Sequence, residues 1–304
     1  MLQHLVHWLR QQAQTNTGPG RLAKWVGRGW ARLTYARRIE PHWLELNRHD
    51  VEIAGLEAPF HGLRIVQLSD LHCGQHVTPA YLNEAVDLAM AQQGDVVVLT
   101  GDFIHKGFKH VEHVAKVVGR LSSPHGVFAV LGNHDYSVRN AMGWRRYRHL
   151  HRAVSDALAA QGIRVLHNES VALARAGARL HLSGVADLWS RTCDIDRAFH
   201  GLCPSVPRVV LAHNPRTVEH IGEHRCDLML SGHTHGGQVN LPGVGRIALN
   251  KHGKRLAAGL YAYRNTLVYV NKGVGFGMKL RYGVRPEVAV FTLRPRAGAS
   301  APPA

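Results

Sequence analysis

The stretch that most constrains the fold is Val96-Val97-Val98-Leu99-Thr100, a continuous run of apolar and β-branched residues. A strand with one face in water alternates apolar and polar residues, whereas an unbroken run is typical of a strand buried on both faces. The run stops at Gly101-Asp102. The chain is therefore expected to form an α/β structure whose central strands are covered on both sides.

The same pattern, an apolar strand that stops at glycine, aspartate or histidine, recurs along the chain. Further strands are predicted over residues 63–68, 127–131, 163–166, 171–173, 180–182, 208–212, 227–230, 267–270 and 287–293. Amphipathic helices are predicted from the N-cap Thr78 and Pro79 to Gly94, and over residues 111–121 and 144–160. The last of these carries a strongly basic set, Arg145, Arg146, Arg148 and Arg152.

Ligands of open α/β sheets collect beyond the carboxyl ends of the strands, so the polar residues that follow five strands should converge on one edge. In chain order they are Asp70, His72, Asp102, Asn133, His134, Asp135, His213, His233 and His235. Alone, the tetrapeptide Gly132-Asn133-His134-Asp135 is equally consistent with an ordinary turn. Its place among the other polar strand ends favours a functional site.

The chemistry of this set favours borderline divalent ions. Carboxylates, an amide oxygen and several imidazoles suit Mn²⁺, Fe²⁺ or Zn²⁺, whereas Mg²⁺ and Ca²⁺ prefer an all-oxygen shell. One ion has too few coordination positions for all of these groups. Two ions that share a bridging carboxylate can use them, as in two-metal hydrolytic sites.

The ordered motifs closely resemble the calcineurin-like metallophosphoesterase family. The resemblance covers residues 63–293 and rests on Asp70-x-His72, Gly101-Asp102, Gly132-Asn133-His134-Asp135, His213 and Gly232-His233-Thr234-His235. It implies a four-layer αββα sandwich with a dinuclear metal site at the strand carboxyl ends. It also implies an enzyme that hydrolyses a phosphodiester or pyrophosphate bond through attack by a metal-bridged hydroxide, with Mn²⁺ as the preferred pair of ions and Fe²⁺ or Zn²⁺ as alternatives.

The resemblance assigns a role to each residue. The first metal would be held by Asp70, His72 and His235. The second metal would be held by Asn133, His213 and His233, and Asp102 would bridge the two ions. His134 would meet the scissile phosphate and donate a proton to the leaving group, with Asp135 orienting its imidazole.

The residues that flank these motifs add weaker expectations. The motif sequences look like a bacterial branch that includes membrane-associated phosphodiesterases and UDP-2,3-diacylglucosamine hydrolases of lipid A biosynthesis. His105 stands where purple acid phosphatases carry a metal-binding tyrosine, which disfavours an Fe³⁺–tyrosinate centre. His76, His105 and Lys106 are candidates for binding a substrate phosphate, with exposed loop positions as the alternative. Cys73 is either a soft ligand or a small buried hydrophobic residue.

The N-terminal segment combines positive charge with several tryptophans. The chain has 37 Lys+Arg against 21 Asp+Glu, a net charge of +16 that favours anionic partners. Residues 1–45 interleave arginines with Trp8, Trp25, Trp30 and Trp43, and Gly18-Pro19-Gly20 should divide them into two helical pieces. Such a segment suits either a membrane interface or packing on the catalytic domain. The expected organisation is this segment, a metallophosphoesterase domain over residues 46–294 and a disordered tail over 295–304.

Three functions are compatible with these sequence features. The first is a phosphodiesterase or pyrophosphatase acting on a phosphorylated small-molecule or lipid-linked substrate near a membrane. The second is a metal-dependent nuclease, which +16 would suit but which 7% aromatic residues make less favourable because bases have few side chains to stack on. The third is a non-catalytic binding protein. Such a protein would be expected to have lost some of the ligand residues, yet every matched position is filled. Four cysteines without a CxxC pair and no apolar run long enough to cross a bilayer favour a cytoplasmic protein, peripheral on the inner face of the cell membrane.

Overall fold

The computed structural model describes residues 18–138, 142, 146–247, 249 and 255–296. Its helices are α1 (Gly18–Thr34), α2 (Pro79–Met90), α3 (Val111–Val118), α4 (Leu150–Ala159) and α5 (Ile195–Phe199). Its strands are β1 (Glu45–Ile53), β2 (Arg64–Leu68), β3 (Val96–Thr100), β4 (Val127–Val130), β5 (Arg164–Val165), β6 (Glu169–Arg175), β7 (Ala178–Gly184), β8 (Arg208–Leu211), β9 (Leu228–Ser231), β10 (Asn240–Leu241), β11 (Gly245–Arg246), β12 (Gly259–Tyr263), β13 (Thr266–Val270) and β14 (Glu287–Pro295).

The strands form two six-stranded sheets and a small hairpin. The first sheet has the order β1-β14-β2-β3-β4-β5, and the second has the order β12-β13-β9-β8-β7-β6. The pairs β2–β3, β3–β4, β8–β9 and β9–β13 are parallel. Strands β10 and β11 form the hairpin. The carboxyl ends of β2, β3 and β4 in one sheet therefore lie near those of β8 and β9 in the other.

The alternation of side chains along β3 explains the unbroken apolar run in the sequence. Val96 and Val98 contribute to the core between the two sheets. Val97 and Leu99 contribute to a second core, where α2, α3 and α4 cover the outer face of the first sheet. A third core lies under α5 and the short helix Pro215–His220 on the second sheet. The predicted four-layer αββα sandwich is confirmed, and the five polar strand ends belong to two facing sheets rather than to one open sheet.

One helix prediction differs from the structure. Helix α4 begins at Leu150 instead of residue 144, because His149 has a non-helical backbone (φ −108°, ψ 9°). Arg146 and Arg148 thus precede the helix, whereas Trp144 and Arg145 lie outside the described residues.

The N-terminal helix begins within the predicted break. Gly18-Pro19-Gly20, expected to separate two helical pieces, forms the first turn of α1, a position where proline is tolerated because its missing N–H would have no intrahelical partner. Residues 1–17, the other predicted piece, lie outside the described residues. No helix within the described part of the chain combines the length and hydrophobicity of a membrane span.

Candidate metal centre and its family

Seven predicted ligands meet where the carboxyl ends of the two sheets face each other. Those on the first sheet follow β2, β3 and β4, and they are Asp70, His72, Asp102 and Asn133. Those on the second sheet follow β8 and β9, and they are His213, His233 and His235. Six of the seven are buried, and His233 is partly exposed. Packing of the two sheets thus gathers residues up to 165 positions apart in the sequence, Asp70 and His235.

The first group contains Asp70, His72 and His235. The Nε2 atoms of His72 and His235 lie 2.9 Å apart. The Oδ1 atom of Asp70 lies 3.3 Å from Nε2 of His235 and 4.0 Å from Nε2 of His72. Ligand atoms that share one ion at about 2.0–2.2 Å are themselves roughly 3–3.5 Å apart. Most of these spacings suit a common cation.

The second group contains Asn133, His213 and His233, with Asp102 between the groups. Oδ1 of Asn133 lies 2.9 Å from Nδ1 of His233. Oδ2 of Asp102 lies 3.4 Å from Nε2 of His72 in the first group and 3.3 Å from Nε2 of His213 in the second. One carboxylate oxygen of Asp102 is therefore within reach of both groups.

Backbone carbonyls orient several of these side chains. Nδ1 of His213 lies 2.7 Å from the carbonyl oxygen of Thr100, so an N–H donated there leaves Nε2 free to bind a cation. The side-chain amide of Asn133 donates to the carbonyl of Val138 at 2.7 Å, which turns its oxygen toward His233. These contacts fix which atom each side chain presents.

The backbone at the site is unusually strained. Five of the seven predicted ligands have positive φ angles, between 45° and 73°, and they are Asp70, His72, Asp102, His233 and His235. Residues other than glycine rarely adopt this region, and strain of this kind clusters at functional sites. At Gly132 a side chain is excluded altogether, because a Cβ atom there would overlap the carboxylate of Asp102.

Burial and mutual charge set the protonation of the group. Burial lowers the pKa of His72 and His235 well below the usual value and that of His233 to about 3, so these imidazoles are neutral, the form that can bind a cation. Burial alone would raise the pKa of Asp102 and lower that of His213. Their attraction reverses both effects, so the pKa of Asp102 falls well below its usual range and that of His213 rises well above. A cation bound to this carboxylate would take the place of a proton on Nε2 of His213. The donor set fits divalent metal ions.

The structure corrects the expected contact between Asp135 and His134. Nδ1 of His134 lies 2.8 Å from the carbonyl oxygen of His105, and its backbone N–H donates to Asp102 at 2.9 Å. The buried carboxylate of Asp135 instead accepts four backbone N–H groups, from Asp102, Phe103, Ile104 and Gly132, at 2.9–3.3 Å. It shapes the turn after β3 because its own side chain lies under that turn. The same loop continues to His105, whose carbonyl contacts His134.

This environment also perturbs Asp135 itself. Burial and the neighbouring charge of Asp102 raise its pKa to about 8, and the backbone N–H donors oppose this rise. A proton on either oxygen would face an N–H donor, so the four donors favour the ionised form.

The other flanking residues differ in their exposure and in their distance from the candidate metal centre. The ring of His105 lies 5.7 Å from that of His72 and 5.5 Å from that of His134, so it borders the site. His76 and Lys106 are exposed loop residues. Cys73 is fully buried in the core under α2, burial raises its pKa to about 11, and it belongs to none of the ligand clusters among the described residues. The geometry thus supports a packing role for Cys73.

Sequence reasoning missed a loop that borders the second group. The ring of Trp189 stands edge-on to His233, with centroids 4.6 Å apart. Asp187 caps the turn by accepting from the backbone N–H of Trp189 at 2.9 Å, and burial raises its pKa to about 6. Asn168 holds both ends of the loop by accepting from Ala186 and donating to Thr192. The available signal was an aspartate soon after β7, as after the other strands.

These findings agree with comparisons to known proteins. A family model described as calcineurin-like phosphoesterase matches residues 63–237, more than half of the chain. The chain belongs to this family. As a metallophosphoesterase it is a hydrolase that acts on phosphoester bonds.

Curated relatives cover most of the metallophosphoesterase. The phosphodiesterase YaeI of Escherichia coli is 34% identical over 85% of this chain and 92% of its own length. The UDP-2,3-diacylglucosamine pyrophosphatase LpxG of Chlamydia muridarum is 30% identical over 84% of this chain and 91% of its own length. The phosphopantetheinyl hydrolase of Mycobacterium tuberculosis is only 12% identical but matches 80% of this chain and 100% of its own, with a TM-score of 0.50. That last likeness concerns the fold alone.

Proposed function

We propose that the metallophosphoesterase is a dinuclear enzyme that hydrolyses a phosphodiester or pyrophosphate bond. The observation that carries this proposal is the position of Asp102, one oxygen of which lies 3.4 Å from His72 and 3.3 Å from His213. That oxygen can serve both ligand groups at once. A mononuclear site would need only one of the two groups.

The first ion would be held by Asp70, His72 and His235. The second would be held by Asn133, His213 and His233, with Asp102 shared. When bound, two such cations lower the pKa of water toward neutrality and neutralise phosphate oxygens. Mn²⁺ is our preferred ion. Fe²⁺ and Zn²⁺ are the alternatives, because all three ions accept mixed oxygen and imidazole ligands.

The chain's own groups complete the chemistry. The carbonyl of His105 fixes Nδ1 of His134, so its other ring nitrogen, Nε2, is the atom left to exchange a proton. His134 can therefore donate a proton to the departing oxygen, help that is typically worth roughly 10²–10⁴-fold. Asp135 holds the turn that carries Asp102 and leads to His105.

The substrate that we favour is a lipid-linked sugar nucleotide such as UDP-2,3-diacylglucosamine. LpxG, named for its action on that compound, shares 30% identity over most of both chains. An aromatic side chain, Trp189, stands beside the second ligand group, where an apolar or planar part of a substrate can contact it. The net charge of +16 suits a diphosphate.

A substrate comparison tests this function. Full-length protein loaded with Mn²⁺ would be given UDP-2,3-diacylglucosamine, bis(p-nitrophenyl) phosphate, p-nitrophenyl phosphate and single- and double-stranded DNA. We expect cleavage of the diester and of the sugar nucleotide, lost in His233→Ala and retained in His220→Ala, an exposed histidine away from the site. Efficient DNA cleavage without turnover of the sugar nucleotide would favour a nuclease. Full activity of His233→Ala would contradict the two-metal site.

We also propose that α1 rests on an anionic membrane surface. Val26, Trp30 and Leu33 recur at helical spacing and are 55%, 72% and 41% exposed. Arg28 and Arg32, both exposed, lie between them. Exposed tryptophan beside arginine on an amphipathic helix suits the interface of an anionic bilayer. Such a position would keep the enzyme peripheral, close to a lipid-linked substrate.

Sedimentation with vesicles tests the membrane contact. The full chain should pellet with phosphatidylglycerol vesicles, and less so with phosphatidylcholine vesicles or at high salt. Trp30→Ser should weaken this binding, whereas Phe108→Ser, which replaces another exposed aromatic (48% exposed) before α3, should not. Equal binding of wild type and Trp30→Ser would refute the role of α1.

A further inference from the structure

Arg281 is a fully buried cation beside the site, and it belongs to none of the sequence motifs described above. Its guanidinium donates to four backbone carbonyls, those of Lys272 (2.9 Å), Gly273 (3.1 Å), Gly275 (2.5 Å) and Val284 (3.2 Å). Among the described residues no carboxylate lies within ion-pair distance of it. Burying an unpaired charge is costly, and an apolar side chain would pack more cheaply. This free-energy cost indicates that Arg281 has a role other than packing.

The segment that Arg281 holds packs directly against the first ligand group. Gly273, with φ 75°, approaches both Asp70 and His235 so closely that a Cβ atom would lie 2.7 Å from Cβ of Asp70 and 3.2 Å from Nδ1 of His235. The N–H of Gly275 donates to the carbonyl of Asp70 at 2.7 Å, and that of Val274 donates to the carbonyl of Ser69 at 2.9 Å. The segment 272–275 therefore forms the wall against which Asp70 and His235 are placed.

The opposite side of Arg281 is fixed to the segment that follows α1. Its backbone N–H donates to the carbonyl of Ala36 at 2.9 Å. The buried Glu40 accepts from the N–H of Val284 at 2.5 Å. Arg285 donates to the carbonyls of Trp43 and Leu44 and lies 4.1 Å above the ring of Trp43. The chain after α1 thus braces the strand-to-strand connection that carries Arg281.

We propose that Arg281 is a positioning residue that sets the metal affinity of the Asp70–His72–His235 group by holding segment 272–275 against it. The inference rests on the proposed dinuclear site. A planar guanidinium can bond several carbonyls at once in a fixed fork, whereas the lysine ammonium is a point charge with three donors. The role is therefore geometric, and a positive charge alone, such as that of lysine, does not fulfil it. Loss of groups that orient metal ligands typically costs about 10–100-fold in affinity.

Two single-site backgrounds separate this inference from the proposed function. Asn133→Ala should leave the first group as the remaining Mn²⁺ site, and His235→Ala should leave the second. Calorimetric titration of the full chain with Mn²⁺ measures each site by itself. We expect Arg281→Lys to weaken binding by about 10-fold or more in the Asn133→Ala background and by less than about twofold in the His235→Ala background.

A matched control addresses general destabilisation. Arg208 is also a buried arginine, 2% exposed, but its guanidinium donates to the carbonyl of Arg225 and packs on Phe199, at the amino end of β8. Arg208→Lys should lower thermal stability without changing either Mn²⁺ affinity. Arg281→Lys with wild-type affinity in the Asn133→Ala background would overturn the inference, as would equal losses in both backgrounds. Absence of Mn²⁺ binding by the wild-type chain would instead refute the proposed function.

Discussion

The carboxylate of Asp135 offers the sharpest test of how the site is built, through the substitution Asp135→Asn. Four backbone N–H groups converge on its two oxygens, at 2.9–3.3 Å. The single amide oxygen of asparagine can accept two of them, and its NH₂ group would oppose the other two. Above the raised pKa of Asp135, where its carboxylate is ionised, each hydrogen bond lost to it costs about 1.5–3 kcal/mol, so two cost about 3–6 kcal/mol. That is a large part of the roughly 5–15 kcal/mol that stabilises a typical protein.

Urea denaturation of the metal-free protein measures this loss, since it isolates the turn from any effect of a bound ion. We expect the free energy of unfolding to fall by about 3–6 kcal/mol in Asp135→Asn. Asp196→Asn is the control, because that side chain is 93% exposed and its pairing with His224 contributes little. A variant as stable as the wild type but lacking turnover would refute the structural role and restore the direct contact with His134 that the sequence suggested.

Three further predictions concern the ligands and the dependence on pH. His134→Ala should keep both Mn²⁺ ions in calorimetric titration yet lose roughly 10²–10⁴-fold in kcat, with His220→Ala as the unaffected control; loss of an ion would contradict the assignment of His134. Asn133→Ala should bind about one Mn²⁺ instead of two, and undiminished stoichiometry would remove Asn133 from the second site. Burial beside Tyr269 and Phe291 lowers the pKa of His49, so the unfolded chain takes up its proton first and stability falls as the pH drops below about 6.5. In metal-free protein, His49→Phe should lessen this fall by at most about 1.4 kcal/mol per pH unit in denaturation measurements, and an unchanged slope would show that His49 does not contribute.

Local patterns were sufficient for much of the architecture. The apolar run at β3 indicated a strand covered on both faces because alternate side chains point to opposite sides of a sheet. The N-cap Thr78 and Pro79 located the start of α2, which the structure confirms. The start of α4 was less well determined, because the backbone of His149 departs from helical geometry and no glycine or proline marks that position in the sequence.

For the site, the sequence by itself determined the residue types and their order at the strand ends, because ligand chemistry requires carboxylates and imidazoles and strand ends expose them. Only the tertiary structure decided their partners. The close approach of His72 to His235, the four donors that occupy Asp135 and the four carbonyls that hold Arg281 all depend on how two sheets and the connections between them pack. Such contacts join residues that are distant along the chain, so no local periodicity encodes them. The sequence therefore named the candidate ligands, and the packing of the two sheets placed them around common points.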